Sequence, residues 1–173
     1  VVEVGRGCPF LCEFCDIRVM PDNNKSWIKP AELVVEELDR LCKLGVRQVL
    51  LACDNFIGDP HTAEALIDRI LEWQRASGHH PSLYTWLTLN IYRHPRLMEK
   101  MRRAGFDMLF IGLESFDSNA LRETAKVQNA APPMAEAVRT IQSYGFVVVA
   151  GLIFGFDSDS PRCFQQTLDG LAE

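Results

Sequence analysis

Three cysteines, Cys8, Cys12 and Cys15, fall within eight residues in the spacing Cys-x3-Cys-x2-Cys. The other three, Cys42, Cys53 and Cys163, lie singly in apolar-periodic stretches, where a free thiol packs as a small hydrophobe. The crowded set therefore points to metal rather than to three disulfides. Its spacing differs from the C-x2-C-x2-C of bacterial ferredoxins and the C-x4-C-x2-C of plant-type ones, and it offers only three local thiolates. On a four-iron cube, three thiolates leave one iron open to bind and activate a small molecule, whereas a fully ligated cluster only passes electrons. Spacing alone also leaves room for zinc-binding or unrelated thiols.

The elements that position this loop follow from the apolar period, which switches between short strand-like runs and longer helical patterns, with Gly or Pro at each switch. Strands are predicted over 1–4, 48–53, 83–89, 108–113 and 147–154. Between the first two, a loop runs through Pro21-Asp22-Asn23-Asn24 to Lys29, and a helix over 30–44 starts with Pro30 at its first position. Ala63, Leu66, Ile67, Ile70 and Trp73 mark the second helix and Leu97, Met98 and Met101 a short third. A fourth helical region is interrupted at Pro132-Pro133, and a fifth helix over 161–171 has Ser160 as its N-cap. Five sequential βα units imply right-handed crossovers and a parallel sheet, with strands apolar on both faces. In such folds functional groups gather at the carboxyl ends of strands. There the sequence has the cysteine loop, then Asp54 and Asn55, Thr88 and Asn90, Glu114 and Ser115, and Asp157.

The run Arg6-Gly-Cys8-Pro-Phe-Leu-Cys12-Glu-Phe14-Cys15 resembles the signature of the radical S-adenosylmethionine superfamily, in which the residue before the third cysteine is usually aromatic, as Phe14 is. The resemblance covers nearly the whole chain and implies an α/β fold, a partial (β/α)6 TIM-like barrel of which five βα units are present. It implies that Cys8, Cys12 and Cys15 bind a [4Fe-4S] cluster whose open iron is chelated by the amino and carboxylate groups of S-adenosylmethionine. The reduced cluster then gives one electron to break the sulfur–carbon bond, yielding methionine and a 5′-deoxyadenosyl radical that takes a hydrogen atom from substrate.

Further motifs extend the resemblance. Where the family has Gly-Gly-Glu after strand two, Cys53-Asp54-Asn55 stands here, with Asp54 able to accept from an ammonium. Ile111-Gly-Leu-Glu114-Ser115 is similar to the pattern whose polar side chain bonds the ribose hydroxyls. Lys126 lies where the oxygen-independent coproporphyrinogen oxidase branch has an Arg for the cofactor carboxylate. Gly151-Leu-Ile153-Phe-Gly155 resembles the GxIxG run at the adenine, followed by Ser158 in place of the usual acid. Together with DNFIGD and KVQN, these look most like the branch with an upstream cobalamin-binding domain, which includes methyltransferases acting on unactivated carbon. The implied cofactors are the cluster, S-adenosylmethionine and, in the full-length protein, cobalamin. The implied partners are a small-molecule substrate and an external one-electron reductant such as a flavodoxin or ferredoxin.

The 173 residues are 47% apolar and 24% charged, which suits one globular domain and excludes disorder. A net charge of -5 with no basic run argues against duplex DNA. No apolar run reaches the roughly 18 to 20 residues of a membrane helix, so a cytoplasmic protein is expected. The chain opens on Val1-Val2-Glu3 without an initiator Met. Residues 1–173 are accordingly expected to be a core domain without its last βα unit and any flanking domains. Two other classes compete with the radical enzyme. One is a non-catalytic zinc or electron-transfer module with Cys53 as fourth ligand. The other is a metal-free sugar- or nucleotide-binding protein, for which there is no GxGxxG or P-loop. The four histidines at 61, 79, 80 and 94 lie in turns or near helix starts and receive no role, and Trp27, Trp73 and Trp86 either pack or line a substrate mouth.

Overall fold

A computed structural model describes residues 1–20, 22, 24–129 and 133–173. In chain order its elements are β1 (Val2–Glu3), β2 (Gly5–Arg6), β3 (Trp27–Ile28), α1 (Ala31–Lys43), β4 (Gln48–Ala52), α2 (Pro60–Ser77), β5 (Ser82–Leu87), α3 (Pro95–Arg103), β6 (Phe106–Glu114), α4 (Ser118–Glu123), α5 (Met134–Ser143), β7 (Val147–Leu152) and α6 (Arg162–Ala172). Strands β1, β4, β5, β6 and β7 form one parallel sheet in that spatial order, so each added βα unit sits beside the one before. The five expected units are present. The short strands β2 and β3 pair antiparallel, Gly5 with Ile28 and Arg6 with Trp27, and close the base of the cysteine loop. Two residues per strand carry no readable period, so this ribbon has no signature in the sequence.

The helices form because their apolar positions recur on one face. Val34, Val35 and Leu38 of α1, Leu66, Ile67 and Ile70 of α2, and Leu97, Met98 and Met101 of α3 are buried in one core with Val49 and Leu51 of β4, Leu83 and Leu87 of β5 and Leu109, Ile111 and Leu113 of β6. Full burial of each Leu or Ile contributes about 1.5 to 3 kcal/mol. Asp59 caps α2 by accepting from the backbone of His61 and Thr62, and Gly78 ends it in the left-handed region.

Several expected boundaries move. Pro30 occupies the cap position of α1 rather than its first turn, and Cys42, expected to pack as a small hydrophobe, is only partly buried. β5 stops at Leu87, so Asn90 falls in a 3-10 helix, Leu89–Arg93, instead of at a strand end. Pro161 is the cap residue of α6, while the Ser160 hydroxyl still accepts from Arg162 N–H at 3.3 Å. Pro21, Asn23 and Pro132 lie outside the described residues.

The larger difference concerns the second face of the sheet. Alternate residues of the strands are covered by helices, but Trp86 and Phe110 point the other way and remain 42% and 41% exposed. The apolar second face of these strands is thus an open wall, which answers whether Trp86 packs under helices. It does not.

Candidate active site

Most groups of the site come from a strand end or from the loop that follows it, while Lys126 and Gln128 come from the segment after α4. After β4, Asp54 Oδ2 accepts the Gly7 N–H at 2.6 Å, tying the start of the cysteine loop to the sheet. Asn55 is 3% exposed and sits behind Cys8. Its Nδ2 donates to Cys8 Sγ at 3.6 Å, and its Oδ1 accepts from Ile57 N–H and the Thr88 hydroxyl at 3.3 and 3.4 Å.

The end of β6 is shaped by a bulge. Gly112 pairs with Gly151 and Glu114 with Leu152, which leaves Leu113 as the extra residue, and Glu114 takes φ 69°. The bulge turns the Glu114 side chain back across Gly112. A Cβ at Gly112 would lie 2.1 Å from Glu114 Oε1 and 3.1 Å from Lys126 Nζ, so any larger residue would displace the carboxylate from its present position. Lys126 Nζ donates to Glu114 Oε1 at 2.7 Å, with the side chains 7% and 10% exposed, and lies 5.6 Å from the centre of the Phe14 ring.

One short segment ties these parts together. Thr124 O accepts the Glu13 N–H at 2.9 Å, and Gln128 Nε2 donates to Cys12 Sγ at 3.5 Å. Asn129 Nδ2 donates to Gly112 O and Leu113 O at 3.0 and 2.9 Å. Gln128 lies in the KVQN run, where the sequence assigns a role to Lys126 alone. A glutamine two residues beyond an assigned lysine was the available signal.

Cys8, Cys12 and Cys15 line one cavity of about 270 Å³ with Phe14, Asp54, Glu114, Lys126 and Gln128, and its apolar wall is Trp86 and Phe110. Seven of the thirteen residues singled out in the sequence meet there: the three cysteines, Phe14, Asp54, Glu114 and Lys126. The other six are placed around it. Asn90 Oδ1 accepts from the Thr88 hydroxyl at 2.6 Å, and the Ser115 hydroxyl accepts from Asp117 N–H at 3.0 Å at the entry to α4. Asn55 backs Cys8, and Ile153 N–H donates to Glu114 O at 2.8 Å. Gly151 lies under the Phe110 ring, where a Cβ would come within 3.1 Å of Cζ, and Gly155 N–H donates to Asp159 Oδ2 at 2.8 Å.

A tetrahedral zinc with Zn–S near 2.3 Å draws its sulfurs to within about 3.8 Å of one another. Among the described residues no three Cys, His, Asp or Glu side chains converge in that way. Cys53 Sγ lies against Thr85 Oγ1 at 3.6 Å and Trp86 O at 3.8 Å, outside the lining of this cavity, and burial pushes its thiol up to about 12. Burial also raises the Cys8 thiol, against N–H donors from Phe10 and Asn55. A thiol with that bias ionises when a metal supplies the positive charge.

A family model described as "Radical SAM superfamily" matches residues 2–171. The hopanoid C-2 methylase of Rhodopseudomonas palustris (strain TIE-1) is 41% identical over 162 residues, which is 93% of this chain and 31% of the methylase. The cobalamin-dependent S-adenosylmethionine radical enzyme OxsB, solved with aqua-cobalamin bound, superposes with a TM-score of 0.79 at 22% identity, over 99% of this chain and 26% of that one. The radical S-adenosylmethionine methyltransferase TsrM from Kitasatospora setae, solved with cobalamin and a [4Fe-4S] cluster, superposes with a TM-score of 0.82 at 15% identity, over 99% and 34%. Both structures share the partial-barrel fold. The chain spans about a third of the length of the curated methylase it matches. No helix among the described residues is long and apolar enough to cross a membrane.

Proposed function

The chain belongs to the radical SAM superfamily, and from that premise we propose that it is the core domain of a radical methyltransferase acting on an unactivated carbon of an apolar, polycyclic substrate. Cys8, Cys12 and Cys15 are the proposed ligands of a [4Fe-4S] cluster. The observation that carries the reading is the single cavity in which these three thiols meet Glu114, Lys126 and an exposed aromatic wall. When bound, the cluster and S-adenosylmethionine together supply one-electron cleavage of the sulfonium and a 5′-deoxyadenosyl radical.

The residues around the cavity have the chemistry to hold the cofactor. Glu114 Oε2 has no partner among the described residues and can accept from ribose hydroxyls. Lys126 spends one donor on Glu114 and keeps two for a carboxylate. The second oxygen of Asp54, whose Oδ2 accepts from Gly7, suits an ammonium. Phe14 covers Lys126 on one side and packs on Phe156 with ring centres 5.9 Å apart, which keeps water from the charged pair. Trp86 and Phe110 offer flat apolar contact without hydrogen-bonding demands on the Phe side. Such a wall fits a fused-ring hydrocarbon of the kind named in the hopanoid C-2 methylase. The methyl carrier, cobalamin, belongs on this reading to a domain outside residues 1–173, and the electron comes from a flavodoxin or ferredoxin.

The test uses the full-length protein, reconstituted anaerobically with iron and sulfide and supplied with cobalamin, S-adenosylmethionine, a reductant and a hopanoid. The expected products are 5′-deoxyadenosine and methionine from one S-adenosylmethionine, S-adenosylhomocysteine from a second that methylates the cobalamin, and a hopanoid in which a methyl group replaces one hydrogen. Cofactor cleavage with polar substrates and none with the hopanoid would refute the substrate class. No cleavage at all from protein carrying a full cluster would refute the enzyme.

A further inference from the structure

We propose that Gln128, with Asn55 in support, sets the reduction potential of the cluster by donating N–H···S hydrogen bonds to two of its three thiolates. The inference rests on the functional reading above and extends it to residues whose part there is neither ligand nor cofactor contact. Gln128 Nε2 reaches Cys12 Sγ at 3.5 Å across 116 positions of sequence, and Asn55 Nδ2 reaches Cys8 Sγ at 3.6 Å across 47. Both side chains are more than nine-tenths buried, Gln128 being 7% exposed. Cys15 receives no side-chain donor among the described residues, so the three thiolates are unequal.

Gln128 is held where it is by its neighbours rather than by the sulfur. Asn129 is bonded to the end of β6, Lys126 is paired with Glu114, and Thr124 O holds the backbone of the cysteine loop at Glu13. Its amide orientation follows from charge. A thiolate bound to iron only accepts, so Nε2 must face it, and Oε1 is then left buried with no partner among the described residues. An apolar side chain would fill the same space without that cost, so the amide is accounted for by what its N–H does at the sulfur. Reduction adds one electron, and with it negative charge, to the cluster and its thiolates. Hydrogen-bond donors at sulfur favour the form with more negative charge and raise the potential.

The experiment is an EPR-monitored redox titration of the full-length protein, reconstituted with iron and sulfide, as wild type, Gln128→Met and Gln128→Glu. Met fills the space without a donor, and Glu turns a carboxylate oxygen toward the sulfur. Gln128→Met should keep its iron while the ratio of reduced to oxidised cluster at a fixed potential falls at least threefold; a tenfold fall corresponds to about 59 mV for one electron. Gln128→Glu should fall further. If one variant fails to take up the cluster, the other decides. A smaller fall, or a rise, overturns the proposal, because a merely structural glutamine would lower stability and leave the potential of the remaining clusters alone. Loss of the cluster from both variants also overturns it, since a donor that only tunes is not needed to hold iron. If the wild type itself takes up no iron and sulfide, the functional reading has failed rather than this one.

Discussion

Removing the Glu114 carboxylate should damage the fold before it damages any chemistry, and the reason is the charge it leaves behind. The pair with Lys126 is close, 2.7 Å between Oε1 and Nζ, and both side chains are about nine-tenths buried. At an effective dielectric near 20 the gross attraction is roughly 6 kcal/mol. Most of that offsets desolvation, so the pair itself is worth far less than its Coulomb energy. Truncating one partner is different: Glu114→Ala strands a buried ammonium, which costs about 3 to 5 kcal/mol. For a domain of this size that lowers Tm by roughly 6 to 20 °C. Glu114→Gly should recover about 1 kcal/mol of the loss, because Glu114 sits at φ 69°, where any Cβ is strained. Lys126→Met placed on the Glu114→Ala background should recover more, since it removes the stranded charge. Urea unfolding of wild type, the single variants and the double variant gives the coupling directly. A Glu114→Ala loss under about 1 kcal/mol, or strictly additive losses in the double variant, would refute this reasoning and return Glu114 to the role of a free ribose ligand.

Gly112→Ala should reproduce much of the Glu114→Ala loss although it removes no charge, because its Cβ would fall 2.1 Å from Glu114 Oε1; a Tm within 2 °C of wild type, on the scale of about 2 to 4 °C per kcal/mol, would contradict the geometry. Cys53, with its thiol pushed up to about 12 by burial, is only about one part in ten thousand thiolate at pH 8. It should therefore resist iodoacetamide with or without iron and should keep full cluster iron as Cys53→Ser, whereas Cys12→Ser should lose it. The Gly7 and Glu13 amides should stay protected from hydrogen exchange in iron-free protein, because Asp54 and Thr124 O accept them. Exchange as fast as in an unfolded chain would show that only metal orders the loop.

The fold was legible because its elements are long and strongly periodic. The five strand–helix units, their parallel order and the convergence of polar residues at the strand ends all follow from apolar period and from Gly or Pro at the switches. The cysteine spacing and Phe14 led to the family without any knowledge of the fold. What stayed hidden depends on contacts between residues far apart. The bulge at Leu113 that folds Glu114 over Gly112 exists only relative to the register of β7, and neither the Glu114–Lys126 pair nor the Gln128–Cys12 bond has a local signature. Gly151 illustrates the limit. The resemblance places it in the run at the adenine, and only the fold shows that a Cβ there would also meet the Phe110 ring of the neighbouring strand. The ties of the cysteine loop are equally non-local, to the sheet through Asp54 and to the end of α4 through Thr124.

On the proposed function, Cys8, Cys12 and Cys15 hold a four-iron cluster with one iron left open to S-adenosylmethionine. The most direct measurement is the EPR spectrum of the anaerobically reconstituted, dithionite-reduced protein, recorded with and without S-adenosylmethionine alongside iron and sulfide analysis. Four irons with matching sulfide per chain are expected, with a reduced-cluster signal whose g-values shift when S-adenosylmethionine is added. A zinc ion without sulfide, or a four-iron signal indifferent to S-adenosylmethionine, would contradict it.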